Sequence, residues 1–170
     1  AEDKLVALDG KVDIDDSALF RLPDIKEFAD KLQPDNPLIK EAAAYNFLYI
    51  PIEEGGTIAV TSNGSGMLMS CIDLISKEGM KVGAALDLGG GATADRIKEA
   101  IRILFSTPGI KAVLINIFGG ITRCDEVAGG VKLALEGQHQ DKIVVVRMEG
   151  TNKEKGLEII GRIKGVGIVS

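Results

Sequence analysis

From Thr57 onward, short apolar runs alternate with longer segments whose apolar residues recur at helical spacing. "TIAVTS", "VGAALDLG", "KAVLINIF", "KIVVVRM" and "GVGIVS" read as buried strands. "GMLMSCIDLISKEG", "TADRIKEAIRILFS", "TRCDEVAGGVKLALEG" and "NKEKGLEIIGRIK" read as the helices between them. Strands apolar along their whole length need cover on both faces, and a helix between successive strands makes their pairing parallel. The pattern predicts a doubly wound α/β domain. In such sheets ligands lie beyond the carboxyl ends of the strands, where strand order reverses.

The first fifty residues differ. "KLVALDGKVDIDDSALFRL" alternates apolar and acidic positions around Asp9-Gly10, which predicts a short hairpin with a tight turn. Pro23 to Leu32 and Pro37 to Asn46 each open on a proline suited to a first helical position, and "FLYIP" then reads as a strand. The expected organisation is residues 1–50 as an appendage with linker helices and residues 51–170 as the α/β domain.

Composition narrows the function classes. A chain of 170 residues with 45% hydrophobic side chains can bury one sizeable core. The net charge of −5 argues against nucleic acid, because no basic stripe could displace counterions from phosphates. No apolar run approaches the length of a membrane span, and the start "AEDKLVALDG" has no basic region followed by an apolar stretch. Cys71 and Cys124 lie far apart without paired spacing, so neither a zinc site nor a disulfide framework is expected.

The strand-to-helix turns carry the chemistry. "SNGSG" (62–66), "LGGGAT" (88–93) and "FGGIT" (118–122) all place glycine where a strand ends and a helix begins. Glycine there lets main-chain N–H groups face a ligand, and the positive end of the helix dipole favours an anion. One such turn is more often plain steric accommodation; three in one sheet point to an anion. None has the spacing of a dinucleotide fingerprint or a P-loop.

Other reactive residues read more simply. His139, the single histidine, is expected in a polar loop. Cys124 follows Arg123 near a helix start, which can lower a thiol pKa, but a buried packing thiol is the better reading. Asp9 alone does not make a magnesium site.

"ALDGKVDIDDSALFRLPD", "NGSG", "DLGGGAT", "NIFGGITRCD" and "VVVRMEGTN", in this order, resemble the carboxyl-terminal part of succinyl-CoA synthetase β subunits over nearly the whole chain. Malate-CoA ligase and ATP-citrate lyase share much of the pattern. The resemblance implies a flavodoxin-like CoA-ligase domain preceded by the end of an ATP-grasp region. It implies a reaction that joins ATP or GTP, with Mg2+, to a carboxylate and CoA through a phosphohistidine on a partner α subunit, which also holds most of the CoA. The compartment implied is the cytoplasm or the mitochondrial matrix.

By motif position, Asn63, Gly120, Ile121 and Thr122 resemble the family's residues for the carboxylate, best taken as a dicarboxylate. Gly119, Gly120, Thr122 and Arg123 match the start of a helix that faces the phosphohistidine. Asp9 matches a magnesium-binding aspartate, without the partner residue that usually accompanies it. Thr122 stands where the family often has valine, and its hydroxyl can cap the helix or donate to the acid. No catalytic residue is expected in this chain, which alone should be inactive. A stand-alone anion-binding or regulatory domain of the same fold is the alternative.

Overall fold

In a computed structural model, residues 6, 8–31, 36–136 and 142–169 are described. The chain forms two compact units that divide between Asp35 and Asn36.

The first unit holds a 3-10 helix, Asp16–Arg21, and helix α1, Pro23–Lys31. None of residues 8–15 and 18–31 is buried. Of the hairpin expected around Asp9-Gly10, residues 8–15 carry no strand, and most of its first arm lies outside the described residues. Leu8 and Val12 are exposed, so the alternation has no sheet to bury its apolar face against, and two isolated strands are marginal in water.

The second unit is a six-stranded sheet of β1 (Leu48–Pro51), β2 (Ile58–Ser62), β3 (Val82–Asp87), β4 (Ala112–Gly119), β5 (Ile143–Gly150) and β6 (Val166–Val169). Its order is β1-β3-β2-β4-β5-β6. All neighbours pair in parallel except the edge strand β1, which runs antiparallel to β3. Strand order reverses beside β2, which places the switch point between β2 and β4. The fold is the flavodoxin-like α/β arrangement.

Helices α2 (Pro37–Ala44), α3 (Ser65–Lys77), α4 (Ala94–Ser106), α5 (Cys124–Leu135) and α6 (Lys153–Gly161) complete the unit. Asn36 caps α2 by accepting the Leu38 N–H at 2.9 Å, with Pro37 in the first turn as the sequence indicated. Helix α2 and β1 belong to this unit: Ala42 and Tyr49 are buried, and the Tyr49 hydroxyl bonds that of Thr107 at 3.0 Å. The larger core joins Leu86, Ile115, Val146 and Met148 to Ile97, Ile101 and Leu104 of α4 and Val127 and Val131 of α5. A smaller cluster, Val60, Val82 and Ala85 with Leu68 and Cys71 of α3, covers the opposite face.

Candidate functional site

Strands β2 and β3 end at one level while β4 and β5 run three residues further, and at that level polar residues of all four lie in register. Asp87 of β3 pairs with Ser62 of β2, Ser62 with Asn116 of β4, and Asn116 with Arg147 of β5. The row lies under α3. Ser65 Oγ donates to Asp87 Oδ2 at 2.5 Å, Asn116 Nδ2 lies 3.0 Å from Cys71 Sγ, and Arg147 donates to Asn116 Oδ1 at 3.2 Å. Ser62 Oγ is fully buried and has no hydrogen-bond partner among the described residues. Each is a polar residue in a mostly apolar strand, a signal the sequence carries residue by residue; strand order and register make them a row.

The three glycine turns rise from this edge. Asn63 spans the switch point: its Nδ2 donates to the Phe118 carbonyl at 2.9 Å and its Oδ1 accepts the Phe118 N–H at 3.0 Å. Gly120 and Ile121 follow, both exposed. The main-chain N–H groups of Gly120 and Ile121 donate to no described residue. A β-carbon on Gly120 would meet nothing within 4 Å, whereas one on Gly119 would meet the Thr122 carbonyl at 2.7 Å. Gly120 therefore borders open space and Gly119 is packed in. Thr151 braces the turn, donating its N–H to the Gly119 carbonyl at 2.9 Å and its hydroxyl to the Gly120 carbonyl at 3.2 Å.

Helix α5 begins at Cys124, two residues beyond Thr122. The Thr122 hydroxyl does not cap it. That side chain is buried, and Oγ1 accepts the Gly91 N–H at 3.1 Å, tying the second glycine turn to the third. Arg123 takes the cap position in an extended conformation without a side-chain cap bond, and the Cys124 N–H donates to the Thr151 carbonyl at 2.9 Å. Asp125 and Glu126 occupy the first turn, where carboxylates suit the helix dipole. Arg123 meets Asp125 with two bonds, at 3.2 and 2.8 Å, and Asn152 and Lys155 add bonds at 3.1 and 3.0 Å. The Arg123 guanidinium above all, then Asn152, holds the Asp125 carboxyl well below the usual carboxylate range.

Burial, with the Asp125 and Glu149 charges, pushes the Cys124 thiol up, so the thiol is a packing group. Asp9 lies apart from these turns in sequence and belongs to the first unit. Its exposed carboxylate accepts the Gly10 N–H at 2.7 Å. No group of three or more His, Cys, Asp or Glu side chains placed to hold a metal ion exists among the described residues. Asp9 by itself does not fit Mg2+, which needs several oxygens in octahedral array. His139 lies outside the described residues.

Residues 61–167 match the family model for CoA-ligase. The chain is 42% identical over 162 residues to the succinate–CoA ligase [ADP-forming] subunit beta of Syntrophobacter fumaroxidans, covering 95% of this chain and 41% of the relative. It is 43% identical over 156 residues to the succinate–CoA ligase [GDP-forming] subunit beta of Thermus thermophilus, covering 92% and 40%. Among solved structures, the ATP citrate lyase of Methanosaeta concilii in complex with (3S)-citryl-CoA superposes with a TM-score of 0.71 at 18% identity, over 91% of this chain and 45% of that one. This last likeness is one of fold. The chain spans about two-fifths of the length of the curated relatives it matches.

Proposed function

The chain belongs to the CoA-ligase family, and from that premise we propose that it is the carboxylate-binding, partner-facing domain of a β subunit in a nucleotide-dependent succinate–CoA ligase. The observation that carries this reading is the crevice at the β2/β4 switch point. Asn63 locks two glycine turns together there, Gly120 borders open space, and the Gly120 and Ile121 N–H groups donate to no described residue.

In this reading the residues bind and orient rather than react. The N–H groups of Gly120 and Ile121 hold a carboxylate oxygen of a small dicarboxylate, and the second N–H of Asn63 adds a side-chain donor. Gly119, Thr122 and Arg123 shape the segment that enters α5, whose amino end faces the phosphohistidine of a partner α subunit. Donors fixed before the ligand arrives stabilise negative charge without reorganising. Nucleotide and Mg2+ are assigned to the part of such a subunit that this chain does not span. CoA is assigned mainly to the α subunit.

The test is reconstitution. The complete β subunit, assembled with its α subunit, should form thioester in a reaction dependent on succinate, CoA and nucleotide. Asn63→Ala should raise the KM for the acid more than the KM for CoA. Equal effects on both substrates, or assembly without acid-dependent turnover, would count against the assignment.

A further inference from the structure

Three glycines in succession, Gly89, Gly90 and Gly91, cross the edge of the crevice. Gly89 and Gly91 both have positive φ, +65° and +68°, so the loop takes a conformation that other residues rarely adopt. Its shape is held from two sides. The Gly89 N–H donates to Asp87 Oδ1 at 2.9 Å, and the Gly91 N–H donates to Thr122 Oγ1 at 3.1 Å. The Gly90 N–H between them donates to no described residue. The same α5 segment grips the next residues as well: Glu126 Oε2 accepts the Ala94 N–H at 3.1 Å. The site lies alongside, for a β-carbon built on Gly91 would stand 3.5 Å from Ile121 Cγ2.

We infer that Thr122 is a positioning residue: through its hydroxyl, and without touching the ligand, it fixes the Gly89–Gly91 loop so that the Gly90 N–H joins those of Gly120 and Ile121 around the carboxylate. The inference rests on the site proposed above and adds a third turn to it. Burial fixes the hydroxyl in place: Thr122 is 1% exposed, whereas the three glycines it anchors are themselves exposed. Valine has the same shape but no acceptor, and it would set a methyl group against the Gly91 N–H. Without that acceptor the Gly91 N–H would turn to bond water, which the exposed loop can reach, and the loop would leave its fixed position. The loop's contribution to binding would go with it. Asp87 would still hold Gly89 and Glu126 would still hold Ala94, so the loop would shift between two fixed ends.

The experiment compares Thr122→Val and Thr122→Ser with the unmodified complete ligase. Loss of one bond of this kind should raise the KM for succinate about tenfold in Thr122→Val, with kcat and the KM for nucleotide changed by less than about twofold. Thr122→Ser, which keeps the hydroxyl, should restore the KM to within about threefold. Amide hydrogen exchange at Gly91 should quicken in Thr122→Val and stay slow in Thr122→Ser. If Thr122→Val does not assemble, Thr122→Ala removes the hydroxyl without a new methyl and is measured in the same way. An unchanged KM for succinate overturns the inference, as does a serine variant that behaves like the valine one, since packing would then be the whole role. Failure of the unmodified ligase to use any dicarboxylate would instead overturn the function proposed above, while Gly91 exchange would still report the bond.

Discussion

The carboxamide of Asn63 holds both main-chain polar groups of Phe118: it donates to the carbonyl at 2.9 Å and accepts from the N–H at 3.0 Å. The two residues are far apart in sequence and stand on the adjacent strand ends β2 and β4. This is the one side chain that bonds both walls of the switch-point crevice among the bonds described at its glycine turns. Replacing it tests the geometry and the function together.

Asn63→Asp keeps the shape and loses the donor, so a carboxylate oxygen would face the Phe118 carbonyl. We expect a loss of about 1–2 kcal/mol in stability, against about 1 kcal/mol for Asn63→Ala, because an unmatched acceptor costs more than an absent one. Urea unfolding of the three chains measures it. An aspartate variant as stable as the parent would show that the clamp contributes nothing.

Gly120 and Gly119 should respond in opposite ways. Gly120 faces open space and has no positive φ, so Gly120→Val should shift thermal unfolding only slightly. If the proposed function holds, in the assembled ligase it should sharply reduce phosphorylation of the histidine assigned to the partner, because its side chain would fill the proposed anion site. Gly119→Ala would press a β-carbon to 2.7 Å from the Thr122 carbonyl and 3.1 Å from the Glu149 carbonyl. Overpacking against main chain should cost about 1–3 kcal/mol. Calorimetry of both variants, with phosphohistidine formation for the first, separates packing from chemistry.

Asp125 should make stability depend on pH in acid. Its folded pKa is depressed by Arg123, Asn152 and Lys155, so its contribution is fully present above the unfolded value near about 3.9. It is lost as pH falls through the folded value. Asp125→Asn should be less stable than the parent at neutral pH, with the gap narrowing below about pH 4 as the carboxyl takes up its proton first in the unfolded parent. Unfolding free energies measured across that range check it. A gap independent of pH would mean the carboxylate charge has no part in holding the α5 entry.

Gly156 sets how closely α6 approaches α5. A β-carbon there would lie 2.8 Å from the Cys124 carbonyl oxygen and 3.0 Å from Cys124 Cβ. Alanine is the better helix former by close to about 1 kcal/mol, yet the clash should win and leave Gly156→Ala less stable by about 1–2 kcal/mol. Denaturant unfolding decides; a stabilised variant would show that the two helices can separate freely.

Much of the fold was legible because it rests on local pattern. Fully apolar strand runs, helical spacing between them, and Pro37 behind Asn36 act over a few residues, and each element of the second unit appears close to where these signals put it. Residues 8–15 form no strand despite their alternation, because alternation predicts a strand only where a neighbouring sheet exists to bury one side. The site was half legible. Glycine at the strand ends marked the crevice, but which groups would be consumed there depended on partners distant in sequence.

The sequence by itself determined that this is an α/β domain with glycine-lined strand ends, since periodicity and turn chemistry are properties of neighbouring residues. Only the tertiary structure decided the rest: that Asn63 closes on Phe118, that the Thr122 hydroxyl is spent on Gly91 instead of capping α5, that Thr151 takes the Cys124 N–H, and that Asp87, Ser62, Asn116 and Arg147 share one row. A hydrogen bond forms with whatever partner the packed strands bring within about 3 Å, and strand order and register, which local pattern does not encode, choose that partner.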